Sequence, residues 1–399
     1  MALSNPRKVS SGAIADIASL CRALRCSEED LSYVLAIPAE QRYVPIEVKK
    51  GAGKPRPVFN PHHRLRRIQR KINTQIFSDP QIIEWPSYLY GSVPNQKGPD
   101  GEKISKDYIS CAARHCGARS LLKLDIQSFF DNVHSDIVYQ IFSDFLKCGD
   151  VVAETLTDIC CQNGHLVQGA LTSSYLASLC LYDVEGRIAE RLSNKGLIYT
   201  RLVDDITVSS KFHKMDYSYA TRIITQMLVS KDLPVNEGKS KVLRSGSVPL
   251  TVHGLRVCFE NPRLPSDEVS RIRAAVRNVE SLAQESNYRT THSYRHDYNR
   301  CMGRVNKLQR VGHSQHSPLL KRLKAVRPLP SPRDIGRARD MIKRLVADFS
   351  AKRHTYWYRN RYYRVQERLN VLKETYEHIS LDMRLELRNL KPLRPHDPV

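Results

Sequence analysis

Two adjacent carboxylates, Asp204 and Asp205, stand between two apolar, β-branched runs in Gly196-Leu-Ile-Tyr-Thr-Arg-Leu-Val-Asp-Asp-Ile-Thr-Val-Ser-Ser210. The pattern predicts a β-hairpin with the acid pair at its turn. Side chains alternate across a strand, so both acids serve one site only if a tight turn carries them. Two such charges repel, and a divalent cation with hard oxygen ligands is the simplest partner. For the dipeptide alone, a solvated Asp-Asp turn is the blander reading. A third acid changes the balance: Leu121-Leu-Lys-Leu-Asp125-Ile126 reads as a short apolar strand ending in a carboxylate, followed by Gln127-Ser-Phe-Phe-Asp-Asn-Val133. With these strands side by side, Asp125 and Asp204 occupy neighbouring tips and can hold two metal ions for in-line phosphoryl transfer.

Motifs on either side extend the pattern. Asp125-Ile-Gln-Ser-Phe-Phe130 resembles the first palm motif of bacterial retron-type reverse transcriptases, and Leu202-Val-Asp-Asp205 resembles their Tyr-X-Asp-Asp motif. Between them, Asn163-Gly-His-Leu-Val-Gln-Gly-Ala-Leu-Thr-Ser-Ser174 resembles Leu-Pro-Gln-Gly-Ala-Pro-Thr-Ser-Pro. Lys54-Pro-Arg-Pro-Val-Phe-Asn-Pro61, with Leu65 to Gln69, resembles the fingers motif, while Val235-Asn-Glu-Gly-Lys-Ser240 and Val252-His-Gly-Leu255 resemble the last palm motifs. Cys111-Ala-Ala-Arg-His115 falls where the family has Asn-Ala-x-x-His. The likeness runs from residue 45 to residue 260 and continues more weakly around Gly303.

The resemblance implies an α+β right-hand polymerase: fingers, palm and thumb, a small antiparallel palm sheet, and a helical C-terminal extension. The expected divisions are an N-terminal helical lead-in over 1–40, fingers over 41–120, palm with part of the fingers over 121–260, thumb over 261–326, and a basic, aromatic extension over 327–399. It implies Asp125 and Asp204 as direct ligands of two Mg²⁺, with Mn²⁺ as an alternative, the carbonyl of Ile126 as a further ligand, and Asp205 as a supporting carboxylate. Nucleotide binding is implied for Arg56 and Lys54 at the fingers tip, for Ser128, Phe129 and Phe130 beside Asp125, for Gln168 and Gly169, and for Lys239 as a proton donor to pyrophosphate. Phe130 falls at the family's steric gate, which implies deoxynucleotides; core packing is the alternative for it, as for Phe129. Nucleic-acid contact is implied for His115, Leu202, Val203, His253 and Gly254.

Several residues depart from the family pattern. Leu202 replaces Tyr, Val167, Leu171 and Ser174 replace prolines, Cys111 replaces Asn, and His253 replaces Thr. None removes an expected metal ligand. The expected function is RNA-directed DNA synthesis on a cognate non-coding RNA, in a retron or related anti-phage system that carries an effector protein. A template-independent or protein-primed polymerase of a defence system, an intron-encoded enzyme, and a non-catalytic nucleic-acid-binding scaffold stay open. Retention of all three aspartates argues against the scaffold, because clustered carboxylates cost stability when no cation neutralises them.

The rest of the chain must position these residues. Its 399 residues allow two or three domains, and 63 Lys and Arg against 41 Asp and Glu give a net charge of +22. The excess reads as spread along the chain, a basic channel that favours a polyanion as partner. Met1 to Ser11 has no long apolar run, and no stretch approaches the roughly 18 apolar residues of a membrane span, so a cytosolic protein without membrane contact is expected. Ten cysteines are scattered without a Cys-x-x-Cys pair and read as reduced thiols.

Periodicity predicts helix over 12–36 with Ser11 as cap, a strand over Tyr43 to Val48, a turn over Lys49 to Lys54, and a strand from Arg56. Leu65, Ile68, Ile72 and Ile76 make the core stripe of a helix whose other face is Arg64, Arg66, Arg67, Arg70 and Lys71. That face reads as solvated surface or as template or primer contact, with Arg66, Arg67 and Arg70 as the candidates. Pro94 to Lys106 reads as a loop, residues 264–312 as helical, and Pro328 to Pro332 as a linker. The run Arg353-His-Thr-Tyr-Trp-Tyr-Arg-Asn-Arg-Tyr-Tyr-Arg364 admits two readings: rings that stack bases, or tyrosines that pack inward or against a second subunit.

Overall fold

The computed structural model describes residues 5–48, 56–98, 100–246 and 248–393. Its contacts divide the chain into two units, Met1–Pro262 and Arg263–Val399. The first begins with α1 (Ile17–Leu24) and α2 (Glu28–Leu35). The expected cap at Ser11 is corrected: Asp16 caps α1 by accepting from the Ser19 amide at 2.7 Å, and Arg25, at φ +53°, ends it. The hairpin β1 (Tyr43–Val48) and β2 (Arg56–Pro61) follows, and its tip lies outside the described residues. α3 (His63–Ile72) buries Leu65, Ile68 and Ile72 as its periodicity requires. Lys71 leaves the expected basic face: it is buried, donating to the Arg25 carbonyl. Within the expected loop after Pro94, Gln96–Lys97 pairs with Lys103–Ile104.

Five strands form the sheet that carries the acids. In chain order they are β3 (Leu89–Tyr90), β4 (Ser120–Asp125), β5 (Ile198–Leu202), β6 (Asp205–Ser210) and β7 (Lys241–Arg244), and in space they run β7-β4-β6-β5-β3. β4 and β6 are buried almost throughout instead of alternating between buried and exposed, because both their faces are covered. The sheet is antiparallel except at β3, which runs parallel to β5. Helices α4 (Tyr108–Ala113), α5 (Asp150–Cys160), α6 (Ser173–Leu179), α7 (Glu185–Ser193) and α8 (Ser218–Val229) follow in turn, and residues from α5 to α8 join the sheet in one continuous core. A last hairpin, β8 (Thr251–Val252) and β9 (Leu255–Arg256), turns at His253 and Gly254, both at positive φ.

The second unit is helical: α9 (Ser266–Gln284), α10 (His292–Arg310), α11 (His316–Ala325), α12 (Pro332–Lys352), α13 (Tyr356–Lys373) and α14 (Glu377–Arg388). The last three share their own core around Ile342, Leu345, Tyr358, Tyr362, Leu369 and Leu387. Asp334 fastens this unit. Buried at the start of α12, it accepts from the Ser331 amide and receives Arg295 of α10 and Arg368 of α13. Burial alone raises its pKa, yet the hydrogen bonds of Arg295 and Ser331 outweigh that and hold it at about 2.

Charge is not spread evenly, contrary to the expectation from the sequence. Residues 263–399 hold 30 Lys and Arg against 14 Asp and Glu, a net +16, which leaves +6 for residues 1–262. Among the described residues, no helix is long and apolar enough to cross a membrane. No described cysteine is in a disulfide, and most are buried.

Candidate active site

The hairpin β5–β6 closes on a two-residue turn, Val203-Asp204, between the paired Leu202 and Asp205. Val203 sits at φ +58°, a region that a β-branched residue rarely enters. Positive φ at the first central residue is what a II′ hairpin turn demands, so the turn is held against local preference. Two supports do this. Gly91, at φ +93°, packs beneath it, where a Cβ would come within 3.2 Å of Val203 Cγ2 and 3.3 Å of Leu202 Cγ. Arg201, fully buried, donates from Nη1 to the Val203 carbonyl at 3.2 Å.

Arg201 also makes a two-pronged ion pair with Glu185 of α7, at 2.7 Å from both Nε and Nη2, and the Tyr199 hydroxyl donates to the same carboxylate at 2.7 Å. The remaining guanidinium hydrogens reach the carbonyls of Ala177 and Ser178. Burial disfavours this charge, but Glu185 outweighs it and keeps the guanidinium protonated. Neither Gly91 nor the Arg201–Glu185 pair was singled out from sequence. An arginine inside a β-branched run was the available signal, since such a residue is buried only with a partner.

β6 pairs with β4 so that Asp205 lies opposite Asp125. The Ile126 amide donates to the Asp204 carbonyl at 3.1 Å, tying the two strand tips together. Asp125 is therefore brought beside the acid pair from which the sequence separates it. Desolvation raises the pKa of Asp204, and the charges of Asp205 and Asp125 add to it. The pKa of Asp205 is lowered, first by the neighbouring His253, whose Nδ1 is 3.6 Å from Oδ2. Asp125 already holds a cation: Lys239 Nζ lies 2.8 and 3.0 Å from its two oxygens, and Asn236 Nδ2 donates to it at 3.1 Å. Among the described residues, no three His, Cys, Asp or Glu side chains gather closely enough to ligate one ion as they stand. Hard carboxylate oxygens, one of them neutralised by an ammonium and another titrating high beside like charges, are nevertheless a donor set that suits a divalent cation.

Other expected site residues separate into groups. Lys54 lies outside the described residues, and Arg56 is placed only as a backbone position in β2, paired with Val48. Ser128 adopts φ +42° just after Asp125, and Phe130 is half-buried. Phe129 is corrected to a core residue, 4% exposed, which removes its ring from nucleotide contact. The Gln168 carbonyl accepts from the Phe59 amide at 2.8 Å, and a Cβ on Gly169, at φ +114°, would sit 2.1 Å from the Phe59 carbonyl oxygen. The close approach that this glycine permits is thus to β2 of the fingers-like hairpin. Arg66, Arg67 and Arg70 are half-buried on α3, and Arg66 reaches Asn60 Oδ1 at 3.3 Å.

His115 is the second correction. It is fully buried, with Nδ1 2.7 Å from Ser209 Oγ and Nε2 2.7 Å from Thr200 Oγ1, so it links β5 to β6 and cannot touch nucleic acid. Burial drives its pKa down to about 3, so the ring is neutral and donates at one nitrogen while accepting at the other. The two departures Cys111 and His253 are neighbours: Cys111 Sγ is 3.3 Å from His253 Nε2 and 3.3 Å from Thr200 Oγ1. Burial pushes the Cys111 thiol up to about 12, so it acts as a neutral hydrogen-bonding group. A polar line therefore runs from the buried Ser209, His115, Thr200 and Cys111 through His253 towards the exposed Asp205.

Comparison with known proteins identifies the family. The family model described as reverse transcriptase (RNA-dependent DNA polymerase) matches residues 48–285. Retron Ec48 reverse transcriptase of Escherichia coli is 42% identical over 97% of this chain and 95% of its own. Retron Se72 reverse transcriptase of Salmonella heidelberg (strain 579083-10) is 30% identical over 84% of this chain and 86% of its own. Among solved structures, apo telomerase from Candida Tropicalis aligns with 91% of this chain and 72% of its own, at 10% identity and a TM-score of 0.39. The chain belongs to the retron reverse transcriptases, RNA-directed DNA polymerases with a right-hand polymerase fold.

Proposed function

We propose that Asp125, Asp204 and Asp205 are the catalytic carboxylates of RNA-templated DNA synthesis. In this reading Asp125, Asp204 and the Ile126 carbonyl are ligands for two Mg²⁺ and Asp205 gives support. The observation that carries it is the pairing of Asp125 with Asp205 across β4 and β6, with Asp204 on the adjoining turn. When bound, magnesium makes the primer 3′-hydroxyl more acidic and neutralises charge on the departing pyrophosphate. Lys239 keeps Asp125 neutralised while no metal is there, and on release from it supplies a proton to the pyrophosphate. Phe130 selects against a 2′-hydroxyl, and Arg56 and Lys54 close on the triphosphate.

The division into fingers (41–120), palm (121–260), thumb (261–326) and extension (327–399) belongs to the same reading, as does service on a cognate non-coding RNA in a defence system with an effector protein. Purified protein with Mg²⁺ and dNTPs is expected to extend a primer annealed to RNA. Asp204→Asn combined with Asp205→Asn is expected to abolish extension; undiminished synthesis by that variant would refute the site.

A further inference from the structure

The aromatic, basic run that opens α13 divides between two environments. Tyr358 and Tyr362 are core residues, and the Tyr358 hydroxyl donates to the Leu390 carbonyl at 2.8 Å. Tyr356, Trp357 and Tyr363 face outward with 68%, 75% and 51% of their surface exposed. The chain's other tryptophan behaves in the opposite way: Trp85 is 4% exposed and donates its indole N–H to the Phe77 carbonyl at 3.0 Å. Helical spacing sets Tyr356 and Tyr363 on one face about 10.5 Å apart, with Arg364 two turns beyond Trp357.

Charge identifies the occupant. From Lys352 to Arg364 there are five cations and no carboxylate, in a unit of net charge +16. Asp348 of α12 engages Lys352 and Arg361, Arg353 lies over the Phe349 ring, and Arg359 donates to the Leu393 carbonyl. Arg364 is exposed beside the outward rings. A second copy would bring the same positive face, and like charges facing each other repel. A polyanion with accessible ring faces matches both features, and bases offer their faces only when unpaired.

We propose that the outward face of α13 is a platform for single-stranded nucleic acid, with Tyr356, Trp357 and Tyr363 stacking on unpaired bases and Arg364 meeting the phosphates. The platform is separate from the palm chemistry, so its failure would leave the polymerase reading intact. The test measures binding of the full-length chain to a short oligoadenylate RNA, to the DNA of the same sequence, and to an RNA duplex. Tyr356→Ala, Trp357→Ala and Tyr363→Ala together are expected to weaken single-strand binding about tenfold or more, with duplex binding and primer extension unchanged. The salt slope stays the same, because no charge is removed, whereas Arg364→Ala lowers it by about 0.7. Trp357→Phe keeps most of the affinity. Tighter binding of RNA assigns the platform to the RNA, and tighter binding of DNA assigns it to the product; either supports the proposal. Unchanged single-strand affinity in the triple variant, equal loss on the duplex, or a change in self-association instead would overturn it.

Discussion

The two units solve different problems with different amounts of sequence information. In residues 1–262 a nearly neutral framework, net +6, brings a few acids to one place; in 263–399 a strongly basic helical unit, net +16, presents a surface. The first depends on register. A shift of one residue between β4 and β6 would part Asp125 from Asp205 and turn every side chain on the strand to the other face. The second depends on which side of each helix is apolar, a looser constraint that leaves its outward residues free to vary.

Removing a support from each unit sharpens the contrast. The largest effect is expected at the Arg201–Glu185 pair, where Arg201→Met leaves a buried carboxylate uncompensated and releases the Val203 carbonyl. Unfolding by denaturant should show a loss of about 3–5 kcal/mol, and amide exchange should rise across residues 198–210. A change under about 1 kcal/mol would mean that the pair does not hold the turn.

In the second unit, Asp334→Asn is expected to cost about 2 kcal/mol at neutral pH, the worth of a carboxylate pKa lowered from 3.8 to about 2. The sign follows from the lowered folded-state value. The stabilisation is fully present above the unfolded pKa, and it disappears as pH falls from 3.8 through about 2. Stability curves of wild type and variant that stay parallel down to acid pH would exclude Asp334 as the fastening residue.

The smallest effect tests whether the two departures from the family pattern compensate each other. Cys111→Asn and His253→Thr each break the line that reaches Asp205, while the double variant restores the family's own pair. Extension rates should show a coupling of about 1 kcal/mol, the double variant being faster than the two single losses predict. Strict additivity would make the contact incidental.

How much was legible follows from the same division. The hairpin with its acid pair and the neighbouring tips of β4 and β6 could be read, because period-two patterning and an acid at a strand end are local signals. The Arg201–Glu185 pair, Gly91 under the turn and the buried His115 could not, since each depends on contacts between residues far apart in the chain. Phe129 and Phe130 were indistinguishable by type, and only the fold shows that Phe129 is in the core while Phe130 is half-buried against it. Likewise the run from Arg353 to Arg364 left stacking and packing as alternatives, and the helix divides its tyrosines between the core and the surface.

The central claim is that the acids at 125 and 204 converge on a divalent metal. Binding of Mn²⁺, followed by electron paramagnetic resonance on wild type, Asp125→Asn and Asp204→Asn, tests it without relying on turnover. Each substitution is expected to weaken binding more than about tenfold, since each removes a charged ligand from the same site. Wild-type Mn²⁺ affinity in both variants would contradict the account.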